Sequence, residues 1–147
     1  MDKIEAFIKL FITGSILVLA ACSSNLPDDL QSLISLMDSN DMQIHTDAAQ
    51  KVLKKYGTDG LLKALNSPLL GAKVQAARFL RLNPDNRARD PLLQETRNRD
   101  MYVRGWAAFA LSSFPDHEVV ARLYELLSDP EPLVQNYARK ALNIISG

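Results

Sequence analysis

Cysteine is nearly missing: Cys22 is the only one in 147 residues. A single thiol can close no intramolecular disulfide and build no thiolate metal cluster, so a disulfide scaffold and a zinc-ribbon site are excluded. Histidine is almost as scarce, and His45 and His117 stand too far apart to form a His-x-x-x-His pair. A surplus of either charge is also lacking, with 17 Lys plus Arg against 17 Asp plus Glu. No global field therefore draws the chain to nucleic acid. The sequence has no Gly-x-Ser-x-Gly elbow and no glycine-rich phosphate loop. Catalysis, cofactor and metal are not expected. What remains, 47% hydrophobic and 23% charged residues, suits one ordinary domain with a real core.

The apolar stretch near the amino terminus is short. Leu10 to Ala21 makes twelve residues preceded by Lys3 and Lys9, where a bilayer span needs roughly 20. That length fits the hydrophobic region of a signal peptide. It ends in Leu19-Ala20-Ala21-Cys22, which resembles the lipobox of bacterial lipoproteins: a branched apolar residue, two small residues, then the cysteine that accepts diacylglycerol. The plainer alternative, a buried helix with a cysteine acting as a small hydrophobe, does not account for the small residues beside the sole thiol. Asp2 and Glu5 dilute the positive amino-terminal region without removing it. The resemblance implies cleavage before Cys22 and an acylated first residue. In Gram-negative lipoproteins a serine rather than an aspartate after the cysteine goes with outer-membrane sorting, so Ser23 points to that leaflet, facing the periplasm. The expected organisation is a signal peptide over 1–21, a lipidated tether over 22–28 and a folded domain over 29–147.

The rest of the chain repeats itself. Leu30, Leu61, Leu92 and Leu123 stand 31 residues apart, as do Ile34, Leu65, Thr96 and Leu127. The same period links Ala72, Val103 and Val134, then Ala76, Ala107 and Ala138, then Leu80, Leu111 and Leu142. An earlier copy, His45, Ala49 and Leu53, precedes its counterparts by 27. Within each period the apolar spacing describes two helices: Val103, Ala107, Ala110, Leu111 and Phe114 line one helical face, and Val119, Leu123 and Leu127 another. Pro84-Asp85 and Pro115-Asp116 break the first helix from the second. Ser67-Pro68, Asn98 and Asp129-Pro130 occupy the slot where the next helix starts. Helices are predicted over 28–37, 42–56, 59–66, 69–81, 89–98, 101–113, 117–128 and 131–145, with the outermost acting as caps.

Asp-Pro, a Val four residues on, then Ala-x-x-Ala-Leu resembles the short HEAT-like repeat associated with phycobilin lyases, over about Leu30 to Ile145. Lys73 and Gln135 stand where the third copy has Arg104, and no glycine follows Leu80, Leu111 or Leu142. The resemblance implies an all-α solenoid of about four helical hairpins. It also implies a protein-binding scaffold or adaptor, held on a membrane in the cell envelope by the lipid. An envelope immunity or regulatory lipoprotein, and a bilin-lyase-like accessory enzyme, are the other functions it allows.

Candidate contacts follow from the same alignment. In HEAT-like stacks the second helices are expected to line the concave face. Their outward positions are Lys63, Gln94 and Glu125, with Asn66, Arg97 and Ser128 beside them. Trp106 and Tyr137 share one slot, preceded by Gln75, and suit either packing between repeats or a binding anchor. Residues 78 to 104 hold seven arginines against four acids, either an internally paired face or a docking patch. His45, Asp116-His117 and the pair Asp28-Asp29 read as caps or first-turn residues. The partner expected is an envelope protein.

Overall fold

A computed structural model describes residues 26–147; the expected signal peptide and the expected lipid site, Cys22, lie outside the described residues. Seven α-helices follow one another, and among the described residues there is no strand. Helix α1 is Leu30–Leu36, α2 Met42–Leu65, α3 Leu70–Leu82, α4 Arg89–Glu95, α5 Met101–Ala110, α6 His117–Leu126 and α7 Pro132–Ser146. Single 3-10 turns, Asn86–Ala88 and Leu111–Ser113, precede α4 and extend α5.

Four of the seven starts, those of α1, α2, α5 and α6, are made by an aspartate side chain. Asp29, Asp41, Asp100 and Asp116 have extended backbones, and each accepts from an N–H of the first turn that no helical carbonyl can reach. The slot expected to cap the third, fifth and seventh helices does something else. Ser67 Oγ, Asn98 Oδ1 and Asp129 Oδ1 accept from the N–H two residues on, at 3.3, 2.9 and 3.0 Å. They form turns that set up helix starts at Leu70, Met101 and Pro132. The first-turn proline is thus Pro132, and Pro130 lies outside the helix. Asp28 also departs from expectation: it precedes the Asp29 cap and sits outside α1.

The two helices expected over 42–56 and 59–66 are joined through one residue. Gly57 turns the chain with φ 59° and ψ −150°, a conformation essentially reserved for glycine. The second segment then packs under the first, because a Cβ on Gly60 would lie 2.7 Å from Tyr56 Cβ and Val52 Cγ1.

The ladders read from the sequence make the core. Leu61, Leu92 and Leu123, Ala72, Val103 and Val134, and Ala76, Ala107 and Ala138 are all fully buried. A buried leucine contributes roughly 1.5 to 3 kcal/mol, and the alanines let helices approach closely. Thr96, the polar member of a leucine ladder, is fully buried because its hydroxyl donates to the Leu93 carbonyl at 2.7 Å and accepts from Arg122 Nε at 2.9 Å. Leu127 and Leu142, the last rungs, are only partly covered.

The two helix rows are not spaced alike. The first helices, α2 over 42–56 followed by α3, α5 and α7, contact one another in succession, whereas α4 and α6 have little backbone approach to each other. A stack curves toward its more closely spaced row, so the first helices form the inner row. This reverses the expectation that the second helices line the concave side. The physical reason lies in the small residues: alanine and glycine recur at the first-helix contacts, and a Cβ on Gly105 of α5 would meet Leu133 and Tyr137 of α7 at 2.8 Å.

Candidate functional site

Successive hairpins are tied by one recurring slot. Lys73 of α3 donates to the Leu65 carbonyl behind it at 2.7 Å and to Glu95 Oε1 at the end of α4 at 2.5 Å. Arg104, 31 residues later, donates to the Asn98 carbonyl and clamps Asp129 with Nε and Nη2 at 2.9 and 3.0 Å. Gln135 completes the series on the Asp129 carbonyl at 2.8 Å. The departures from arginine seen in the sequence therefore preserve a donor aimed at the preceding turn. Burial, the largest single influence, pushes the Asp129 carboxyl up, but the Arg104 hydrogen bonds, the Glu131 N–H and the charges of Arg104 and Arg122 together hold it below the usual carboxylate range.

Much of the arginine-rich stretch is consumed in the same way. Arg89 pairs with Asp116, Glu118 and Asp90, and its hydrogen bonds, with the Val119 N–H, hold Asp116 down to about 2. Arg87 bridges Asp85 and Asp59 and keeps the Asp85 carboxyl far below its ordinary value. Arg81 lies over the Phe109 ring at 4.0 Å. Among the described residues Arg78, Arg97 and Arg99 have no ion pair.

The residues singled out from the sequence fall on two surfaces. Lys63, Asn66, Gln94, Arg97 and Glu125 are all exposed, on the outer row. Lys63 and Asn66 border a groove of about 480 Å³ with Leu30 and Ile34. Gln94 and Arg97 border another of about 400 Å³ with Arg89 and Glu118. Glu125 is already engaged by Arg122 at 2.7 Å. Trp106 stands apart from these five, half-buried on the inner row.

Trp106 belongs to an aromatic cluster. Its ring centroid is 5.0 Å from Tyr137 and 6.0 Å from Phe109, and Phe109 is 5.4 Å from Tyr137. Packing between repeats thus accounts for the shared aromatic slot. Burial raises the Tyr137 hydroxyl above its ordinary value, while Arg78 on α3, one helix further along, pulls it down. Arg78 therefore shares the inner face with α7. Gln75 is 6% exposed and its Oε1 finds no donor, and the buried Nε–H of Arg81 finds no acceptor; each unmade bond costs about 1 to 3 kcal/mol. Tyr102, also on α5, is half-exposed.

One signal was present in the sequence and unread: α3, α5 and α7 contain six cations, Lys73, Arg78, Arg81, Arg104, Arg139 and Lys140, and not one carboxylate. The neutral total hides this segregation. A cleft of about 580 Å³ lies on the first hairpin between Leu26, Asp47, Gln50, Lys51, Lys54 and Lys55. Among the described residues, no cluster of three or more His, Cys, Asp or Glu is placed to hold a metal, and no helix is long and apolar enough to cross a membrane.

No curated protein matches the chain. Among solved structures it is similar to a designed armadillo repeat protein in complex with the peptide (KR)4, at 18% identity and a TM-score of 0.52, over 79% of this chain. The chain spans 64% of that protein's length. That likeness concerns the fold alone, a helical solenoid. The profile describing HEAT repeats matches residues 58–145, more than half of the chain and all of its three regular hairpins, so this is a member of the HEAT repeat family.

Proposed function

We propose that this HEAT-repeat chain is a lipid-anchored protein-binding scaffold of the bacterial cell envelope. The observation that carries the binding half is the contrast between internal clamps and unengaged side chains. Arg89, Arg104 and Lys73 are consumed in joining hairpins, whereas Lys63, Asn66, Gln94 and Arg97 stand exposed on the outer row and Tyr102 on α5 of the inner one. A repeat stack offers such residues on a long surface at low ordering cost, because its backbone is already rigid. The armadillo neighbour, solved with a peptide, supports a protein partner by fold analogy. The Asp-Pro and Ala-x-x-Ala-Leu pattern supports the short, phycobilin-lyase-type variety of the repeat.

The anchoring half rests on Leu19-Ala20-Ala21-Cys22 and Ser23. With Leu30, the first residue of α1, eight residues beyond the acylated Cys22, the domain stands within about 25 Å of the bilayer, at about 3.3 Å per residue. The outer membrane, facing the periplasm, is the location this favours. Two measurements test the proposal. Palmitate-analogue labelling should mark the wild type and not Cys22→Ala, and equal labelling rejects the anchor. Photo-crosslinking in intact cells from positions 97 and 102 should yield a discrete adduct that position 33, fully buried as Leu33, does not; identical patterns from all three reject the scaffold.

A further inference from the structure

The repeat alignment places a second ladder on the inner row beside Gln75, Trp106 and Tyr137. Arg78, Phe109 and Lys140 stand 31 residues apart, and the 27-residue offset of the first copy adds Lys51 before Arg78. Three of four copies thus hold a cation in one slot. In the first copy that slot is occupied. The segment Leu26-Pro27-Asp28 lies against it, Lys51 Nζ donating to the Leu26 carbonyl at 2.6 Å and pairing with the Asp28 carboxylate at 2.8 Å. Lys55 pairs with the same carboxylate at 3.4 Å and donates to the Asp28 carbonyl, which also accepts from the Tyr56 hydroxyl. The chain therefore grips a short acidic segment of its own through a lysine, using both backbone carbonyl and carboxylate.

Resting on the scaffold reading above, we infer that the remaining rungs of the inner row bind an extended acidic segment of a partner protein in the same way. Arg78 and Lys140 have no ion pair among the described residues, and Arg81, stacked on Phe109, has none either. No carboxylate on α3, α5 or α7 competes for them. Lys140 Nζ stands 5.6 Å from the Tyr137 ring centroid and Arg81 covers Phe109, so cations alternate with aromatic surface. That combination holds a carboxylate-bearing chain better than a lipid surface, which would meet a curved inner face only at its rim. Helices pack about 8 to 10 Å apart, so three of them span about 20 Å, the reach of six or seven extended residues at about 3.3 Å each. Partners rich in Lys and Arg, such as the neighbour's (KR)4, are disfavoured by the sign of the charge.

Trp106 is the only tryptophan, so its emission reports this face directly. The full chain, in detergent, is titrated with the octapeptide (Glu-Asp)4 at low ionic strength, with (Lys-Arg)4 and with vesicles containing one-third anionic lipid. The expected result is saturable binding of the acidic peptide that shifts Trp106 emission. It should weaken at least tenfold in Arg78→Gln combined with Lys140→Gln, and stay within twofold in Arg99→Gln, which removes an exposed cation from the loop before α5. Circular dichroism confirms that each variant keeps the fold intact. No binding, equal loss in both variants, tighter binding of (Lys-Arg)4, or a Trp106 response to vesicles alone overturns the inference. The in-cell crosslink from position 97 is an independent readout, so its persistence beside a failed peptide titration separates this failure from that of the scaffold reading.

Discussion

Arg104 holds Asp129 with two parallel donors, Nε at 2.9 Å and Nη2 at 3.0 Å, across the junction between the third and fourth hairpins. The side chains are 13% and 8% exposed, so the pair is shielded from solvent and salt. Asp129→Ala leaves the guanidinium without its partner and should destabilise the domain by about 3 kcal/mol. Replacing both partners, Arg104→Met with Asp129→Leu, should recover much of that loss. Chemical denaturation checks both, and a single variant as stable as wild type would show that the junction does not depend on the pair.

Acid should loosen the stack from its turns. Asp116 titrates at about 2 in the fold against an ordinary 3.8, and Asp85 and Asp129 are shifted the same way. Groups whose folded values are depressed stabilise above the unfolded value and lose that contribution as pH falls toward the folded one. Melting temperature should therefore be flat from about pH 5 to 8 and fall between about pH 4 and 2. Asp116→Asn should melt lower at neutral pH and decline less steeply in acid; an unchanged profile would remove the Arg89–Asp116 contact from the account.

Two glycines are irreplaceable for different reasons. At Gly57 the backbone itself, φ 59° with ψ −150°, excludes a side chain although space is open, so Gly57→Ala should cost about 1 to 3 kcal/mol. At Gly71 the backbone is ordinary and space is closed: a Cβ would lie 2.7 Å from Asp38 Oδ1 and 2.9 Å from Asp38 Cα. Gly71→Ala should cost about 1 to 3 kcal/mol through overpacking and loss of the Gly71 N–H bond to Asp38. Thermal melts of both distinguish these from a neutral exchange.

Outer-row substitutions should be silent in stability. Lys63→Ala and Arg97→Ala remove exposed side chains with no ion pair among the described residues and should shift unfolding free energy by no more than about 0.5 kcal/mol. A larger loss in a denaturation curve would assign them to the framework and withdraw them as contact candidates.

The linear sequence determined the solenoid. Its period of 31 placed Leu61, Leu92 and Leu123 and Ala76, Ala107 and Ala138 in the core, and all six are fully buried. Such ladders are legible because helical burial follows a local periodicity that every copy repeats. The starts of the helices were less legible, since Ser67, Asn98 and Asp129 cap a turn two residues early, and either geometry satisfies an N–H with the same side chain. Which row faces inward was decided only by tertiary structure. Curvature depends on the relative spacing of two rows, set by Gly105 beneath Tyr137 and by Arg122 reaching across to Thr96, and no single helix encodes that difference. The same packing sorted the charges. Counting alone could not tell Arg104, clamped between hairpins, from Arg78, left open on the inner face beside Tyr137, because an arginine's role depends on whether a carboxylate from the next repeat arrives within reach.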